Sequence, residues 1–506
     1  MTMENAARSA NDHLLTADVI VVGGGGSGLA AAIAAAENKA RVVLLEKNTH
    51  LGGTTRLSIG SITATRTALQ KKAGIQDSPD EHFEDMAKFA GELAPKDNLA
   101  LRRVLVDNVP DTVAWLESLG VSFFGPMPEP PHRKPRMHNI LPNSRAYIYY
   151  LVRRARQLGV DIRLGAEVAD ILIEKERAAG VKAMIDGRST LVRSGAIVLA
   201  SGDFSAGREL KREGRPELAE VDAINSSNTG DGHLMARRIG GVVRNAEIMY
   251  AQLRFVAPPS TSLVLRLPPW KALTTLMKAG MRWAPPAVLR PFILSFVTTY
   301  LAPEPSLFRE GAILVNKRGE RFTDELRQPA LDVPGQPDKA AYILLDRRLS
   351  TLFSAWPNFI STAPGVAYAY LPDYRRNRRD IYHEGNTLGE LAKSIGVPAA
   401  ALEATVRTYN GAGRTGRSRP PLEEGPFVAL GPVRNWVVLT DGGVAVTTEH
   451  EVTREDGRVI PGLFAAGSTG QGGLLLEGHG HHLGWAFTSG RRAGRNAARL
   501  ARGLPA

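Results

Sequence analysis

The sequence contains no cysteine. That absence excludes a disulfide scaffold, thiolate metal sites, iron–sulfur ligation, thiol catalysis and any cofactor tethered through a cysteine sulfur. Any redox chemistry must therefore come from a borrowed cofactor. No stretch reaches the ~20 uninterrupted apolar residues of a membrane-spanning helix. The nearest, PFILSFVTTYLA at 291–302, is short and bracketed by Pro285, Pro286, Pro303 and Pro305. The N-terminal MTMENAARSANDHLL has no basic stretch followed by an apolar run, so no secretory signal is expected and a cytoplasmic location is the default.

What is present is a chain of 506 residues, 43% hydrophobic and 23% charged, long enough for two or three domains or for one large core with an insertion. The 51 glycines are a surplus that marks tight turns and close approach of backbone to a ligand. A net charge of +12 favours anionic cofactors, acidic lipid or nucleic acid without choosing between them. The basic runs Arg375-Arg-Asn-Arg-Arg379 and His132-Arg-Lys-Pro-Arg136 come with no recognition motif, so solvated surface is expected and nucleic acid is not.

The glycine surplus is clustered. Residues 18–22 read as a buried strand, Gly23-Gly-Gly-Gly-Ser-Gly28 turns into a run of helix formers, and a second strand over 40–45 closes on Glu46. Gly23 permits the tight turn, Gly25 lets the backbone approach a pyrophosphate, and Gly28 allows close helix–strand packing. The diphosphate charge sits on the exposed N–H groups of the helix N-terminus, and the Glu46 carboxylate can accept hydrogen bonds from ribose hydroxyls. A second loop dense in Gly, Ser and Thr follows at 51–61. Near the other end, a strand over 461–467 enters another Gly-rich turn before a helix from Gly484, whose positive end suits charge near a reduced flavin ring.

The motifs VVGGGGSGLAAAIAAAE, LLEK, GGTTRLSIGSI, AIVLASGDFS, NTGDGHLMARRIGG, FREGAILVNKRGERFTDE, TDGGVAV and IPGLFAAGS occur in this order along the chain. In them the chain resembles the FAD-dependent superfamily of fumarate reductase and succinate dehydrogenase flavoproteins, urocanate reductases and 3-ketosteroid Δ1-dehydrogenases, with the ketosteroid-like branch nearest. The resemblance implies an α/β fold: a Rossmann-like FAD-binding domain of glutathione-reductase type built from both chain ends, with an inserted α+β substrate or capping domain. The expected division is a flexible 1–15, FAD-binding 16–250, the insert over 251–425, and FAD-binding again over 426–506. FAD contacts are expected from Gly23, Gly25, Gly26, Ser27, Gly28, Glu46 and Lys47, then from Gly52, Gly53, Thr54, Thr55, Ser58 and Gly60. Further contacts are expected from Val168, Ala200, Ser201, Gly202, Asn228 and Asp231, and from Gly467, Gly484 and Trp485. Asp231 also reads as a helix N-cap. Thr54 stands where the membrane-bound relatives carry their flavin-linking histidine, so FAD is expected to be noncovalent, with His50 a solvated loop residue.

The family's chemistry is hydride transfer next to an electron-withdrawing carbonyl or carboxylate, with a protein group moving the second proton. Leu439 and Glu477 take the places of the fumarate-type histidine and arginine clamps, and Arg327 lies near the donor arginine's place. Gly480 takes the place of the glycine whose N–H polarises a ketone in the ketosteroid branch. Glu477, His479, His481 and His482 are the nearest titratable candidates, while Tyr147, Tyr149 and Tyr150 could supply a phenol or pack in the core. No metal site is expected, because His479-x-His481-His482 lacks an accompanying carboxylate or cysteine cluster. The proline-rich 254–308 reads as an apolar lid or a membrane-docking segment. The expected activity is desaturation or reduction beside the carbonyl of an apolar, cyclic or steroid-like ketone, with an unidentified electron acceptor or donor. A fumarate- or urocanate-type reductase is the alternative, and an electron-relay flavoprotein a third reading. No second dinucleotide fingerprint occurs in mid-chain, so direct reduction by NAD(P)H is not expected.

Overall fold

Two apolar stretches, Val19 to Val22 and Val42 to Leu45, explain the centre of the fold. The strand His13–Val22 pairs in parallel with Val42–Glu46 on one side and with Arg188–Leu199 on the other. Its residues Val19, Ile20 and Val21 are fully buried, as expected of a parallel sheet covered on both faces. The computed structural model describes residues 13–256, 267–283, 302–363, 367–413 and 419–504. The strand begins at His13, so the end of the segment expected to be flexible is already in the sheet.

Strand order in this sheet is Glu451–Thr453, Val459–Ala465, Arg188–Leu199, His13–Val22, Val42–Glu46, Asp161–Leu164. The C-terminal strand Val459–Ala465 adds in parallel to Arg188–Leu199, so both chain ends build one sheet. Glu167–Glu174, Arg177–Ile185 and Arg188–Leu199 form an antiparallel meander. Over the sheet, helix Gly26–Glu37 crosses the long C-terminal helix His481–Ala501. The crossing is backbone on backbone: a Cβ on Gly490 would stand 2.3 Å from the Ser27 carbonyl oxygen, and one on Gly494 would stand 2.1 Å from that of Ala31.

The insert has its own antiparallel sheet and its own core, from Leu253 to Val433. Strand Phe427–Thr440 pairs with Met249–Phe255, Ala341–Leu345 and Tyr382–Gly385. The expected return to the FAD-binding part at 426 is thus displaced: the strand there completes the insert's sheet, and the chain leaves it only after Thr440. Thr387 caps helix Leu388–Ile395 through the Glu390 N–H, while the Glu390 carboxylate accepts from Asn386 rather than closing a full capping box. Not all of the basic runs are solvated: Arg136 is enclosed by Asp77 and Asp85, and Arg378 by Asp380 and the Val256 carbonyl.

The segment read as a lid or membrane contact falls largely at 257–266 and 284–301, outside the described residues. Its described part, helix Lys271–Trp283, exposes Leu276 and Trp283, with Trp270 just before it. It is tied back through Thr274 to Ser122. Among the described residues no helix is long and apolar enough to cross a membrane.

Substituting Gly494 with alanine should destabilise the fold by about 1–3 kcal/mol or more, because neither helix backbone can recede without disturbing the sheet beneath. Denaturant unfolding of Gly494→Ala measures this, and unchanged stability would contradict the backbone-to-backbone crossing.

Candidate active site

The turn at the end of the first strand is forced by its neighbours. Gly23 has φ +110°, and a Cβ there would lie 2.4 Å from the Ala200 carbonyl oxygen. A Cβ on Gly28 would lie 1.9 Å from the Gly23 oxygen, so Gly28 is a packing residue behind the site. Gly25 is different: nothing lies within 4 Å of its Cβ position, which opens onto a cavity of about 600 Å³. Gly25 gives helix Gly26–Glu37 no side-chain cap and the Gly26 N–H is taken by Thr55 Oγ1, so the positive end of the helix dipole is directed at that cavity.

Glu46 holds the rim. Its Oε2 accepts from the Gly24 N–H at 2.7 Å and its Oε1 from the Asn48 N–H and amide at 2.8 and 2.7 Å. Oε1 is thereby saturated, while Oε2 keeps a second lone pair to which a ribose hydroxyl would donate. The second Gly-rich loop is sewn to the first, since Gly52 N–H donates to the Gly24 oxygen and Gly26 N–H to Thr55 Oγ1. Thr54 Oγ1 accepts from the Asn225 and Asn228 amides at 3.0 and 2.9 Å. His50 is exposed and off the cavity, as expected of a loop residue, while Thr54 lines it. Open Gly25, the positive end of the helix dipole and the remaining acceptor position of Glu46 Oε2 together fit FAD, whose diphosphate and ribose these groups would hold.

Of the residues expected to contact the cofactor, Gly23, Gly25, Gly26, Ser27, Glu46, Lys47, Gly53, Thr54, Thr55, Ser58 and Gly60 line the cavity, as do Val168, Ala200, Ser201, Gly202, Asn228 and Asp231. Gly28, Gly52, Gly467, Gly484 and Trp485 do not. The C-terminal helix begins at His481, three residues before the expected Gly484, which turns Gly484 toward Leu105 and Val109. Trp485 is buried and donates to the Gly467 oxygen at 3.0 Å, pinning that loop from behind. Asp231 is the first helical residue and Gly230 is the cap. The Asp231 carboxylate instead pairs with Lys47 at 2.7 Å.

At the other end of the cavity Glu477, His479, Gly480 and His482 converge with Phe89, Glu129, Leu439 and Leu476. Gly480 has φ +93° and caps the C-terminal helix; a Cβ there would strike Thr63 N and Ile62. His479 Nδ1 lies 2.5 Å from Glu129 Oε1, and its backbone N–H donates to the same oxygen. His481 is buried below the loop, with Nδ1 at 2.7 Å from the Glu477 carbonyl, and does not line the cavity. Arg327 is not brought to the site either: its side chain is 87% exposed and pairs with Asp324. Tyr147, Tyr149 and Tyr150 are also absent from the lining. Tyr147 is core, donating to the Gly60 oxygen, while Tyr150 donates to the Pro269 oxygen and Tyr149 faces outward.

Sequence reasoning missed the strand Met249–Phe255, which places Tyr250, Gln252 and Arg254 in the cavity wall. Tyr250 donates to Asp441 Oδ2 at 3.1 Å. Asp441 is fully buried, accepts also from Gln471 at 2.6 Å, and stands 3.4 Å from His482 Nε2. Burial raises the Asp441 carboxyl from 3.8 to about 6 against these hydrogen bonds, and raises the Tyr250 phenol as well. Burial holds His482 down at about 4, so that imidazole is neutral near pH 7. Burial and the nearby Asp441 raise Glu477. Arg254 donates to Gln252 Oε1, and burial makes its charge costlier. Asp441 lies in the TDGGVAV motif, which carries the family resemblance without marking the aspartate as a site residue.

A split parallel sheet with this cradle defines a dinucleotide-dependent flavoprotein. The chain belongs to the FAD binding domain family (FAD_binding_2), which it matches over residues 18–264 and 271–475, and it is an FAD-dependent oxidoreductase. It is 29% identical to NADH:fumarate oxidoreductase of Klebsiella pneumoniae (strain 342), over 96% of this chain and 48% of that one. It is 28% identical to the probable fumarate reductase Ifc3 of Shewanella frigidimarina, over 91% and 71%. The chain thus spans about half the length of the first relative. An open conformation of a flavocytochrome c3 fumarate reductase superposes with a TM-score of 0.73 at 25% identity, covering 99% of this chain and 80% of that one. A 3-ketosteroid-Δ4-(5α)-dehydrogenase from Rhodococcus jostii RHA1 shares the fold, with a TM-score of 0.59 at 24% identity over 97% and 99%.

Two outcomes are expected here. Gly25→Ala should fold with near-unchanged stability without cofactor yet bind FAD at least about tenfold more weakly, because its methyl occupies the cradle; flavin titration and thermal unfolding separate the two effects. The second concerns Asp441, whose carboxyl is raised by folding, so the folded state binds the extra proton. Its contribution to stability is present below about pH 4 and is lost as pH rises to about 6, on the order of 3 kcal/mol in all. Asp441→Asn should therefore have a flatter stability profile between those pH values than the parent, and coincident slopes would refute the assignment.

Proposed function

We propose that this FAD oxidoreductase acts on the carbon–carbon bond beside the carbonyl of a largely apolar ketone. The reading is carried by the charge at the reactive end. Leu439 and Leu476 wall it, Glu477 and Glu129 supply negative charge, and among the described lining residues one guanidinium, Arg254, opposes them. A dicarboxylate would meet two carboxylates with one cation, losing charge-assisted contacts worth about 1.5–3 kcal/mol each. A neutral carbonyl meets no such repulsion.

FAD, when bound, supplies the two-electron transfer. The protein's part is to fix the carbonyl and to manage one proton. The Gly480 N–H, at the start of the C-terminal helix, polarises the carbonyl oxygen with the helix dipole behind it. Tyr250, its phenol kept protonated by burial, is the proton carrier, and Asp441 orients it. His482 Nε2 stands 3.4 Å from Asp441 without a hydrogen bond to it, and Glu129 holds His479 against the loop.

Arg254 favours a second reading, an α,β-unsaturated monocarboxylate gripped by its guanidinium, in keeping with the fumarate reductases among the relatives. Anaerobic mixing distinguishes them. A cyclohexanone or ketosteroid that bleaches the oxidised flavin supports the first, whereas fumarate or urocanate reoxidising the reduced flavin supports the second. Arg254→Gln should raise KM for a carboxylate selectively. Tyr250→Phe should load FAD normally and lose about 10²–10⁴-fold in kcat; near-full turnover would remove Tyr250 from the mechanism.

A further inference from the structure

Below the cavity loop, three histidines distant in sequence meet: His82 on helix Pro79–Ala90, His132 on the loop before Arg136, and His481 at the first turn of the C-terminal helix. All three are buried, and their candidate ligand nitrogens lie within 4.8 Å of one another. The rings pack at centroid distances of 5.3–5.4 Å. We propose that His82, His132 and His481 form a binding site for a divalent transition-metal ion of the zinc class, which ties helix Pro79–Ala90 and the 129–136 loop to the start of the C-terminal helix.

The hydrogen bonds fix what each ring can offer. His481 Nδ1–H donates to the Glu477 carbonyl, leaving Nε2 as a lone pair, the usual outer-shell arrangement of a metal-binding imidazole. His82 Nε2 lies 3.2 Å from that atom. Two nitrogens on a tetrahedral ion with bonds of about 2.0–2.1 Å stand about 3.3 Å apart. The same 3.2 Å also suits a single hydrogen bond, but that alternative leaves His132 Nε2 buried with no partner, whereas His82 Nδ1 has none in either case. An ion takes up His132 Nε2 as well.

His132 Nδ1 lies 3.0 Å from Arg136 Nη1, a contact that must lapse when Nε2 binds a metal and Nδ1 carries the proton. Arg136 can release it, because its Nε, Nη1 and Nη2 are already held by Asp77 and Asp85 at 2.6–2.7 Å. Three imidazoles leave a fourth position for water. Phe89 stands beside His132 and His481 and also lines the cavity. Metal binding therefore stiffens the wall formed by Glu477, Gly478, His479 and Gly480.

The test uses the FAD-loaded protein, stripped with EDTA and titrated with Co²⁺ and then Zn²⁺. About one Co²⁺ per chain is expected, with the absorption of a four-coordinate nitrogen site, displaced by Zn²⁺ and abolished in both His82→Ala and His132→Ala. His50→Ala, on the exposed loop, should bind as the parent does. For a variant that does not fold, the parent alone decides: bound Co²⁺ should shift imidazole N–H resonances from three histidines. Absence of stoichiometric binding, binding that survives both variants, or shifts from fewer than three histidines would overturn the site.

Discussion

The crossing of the first and last helices is the constraint on which the rest depends. Gly490 and Gly494 let the C-terminal helix press against the backbone of Ser27 and Ala31, which no side-chain-bearing residue would permit. That contact brings together two helix N-termini from opposite ends of the chain. One presents the positive end of its dipole beside Gly25, and the other presents Gly480. The cavity runs between them, so the diphosphate end and the reactive end are set by one packing interface.

Around that axis, the polar chemistry is arranged by burial more than by the number of charges. The Lys47–Asp231 pair and the Glu46 network lie at the cofactor end and are satisfied by short hydrogen bonds. At the far end, Asp441 is fully enclosed and only partly compensated, so its proton affinity rises toward neutrality and couples to Tyr250. A buried carboxyl with this affinity beside a cavity-lining phenol is the kind of perturbed pair on which acid–base chemistry is built. Among the described lining residues of this end, Glu129 and Glu477 outnumber Arg254 despite the chain's net +12.

The nucleotide cradle was legible in the sequence because its requirements are local. Gly23, Gly25, Gly28 and Glu46 are dictated by a turn, a helix end and the next strand, all within one short segment of chain. The histidine-rich loop was legible in composition but not in geometry. His481 and His482 are adjacent in sequence, yet one turns toward His82 and the other toward Asp441. Arg327 lay close to the expected motif and still ended in solvent, since a few residues' offset along a loop decides which way a side chain leaves it.

The sequence by itself determined the cofactor fold, the split of its domain between the chain ends and the exclusion of thiol chemistry, because short-range spacing and composition suffice for these. Tertiary structure alone decided which groups share the reactive end. Tyr250 meets Asp441 across 191 residues, His479 meets Glu129 across 350, and His82 meets His481 across 399. Such pairs are joined by packing of elements that carry no mark of each other in sequence, and their chemistry comes from a burial that exists only once the chain has folded.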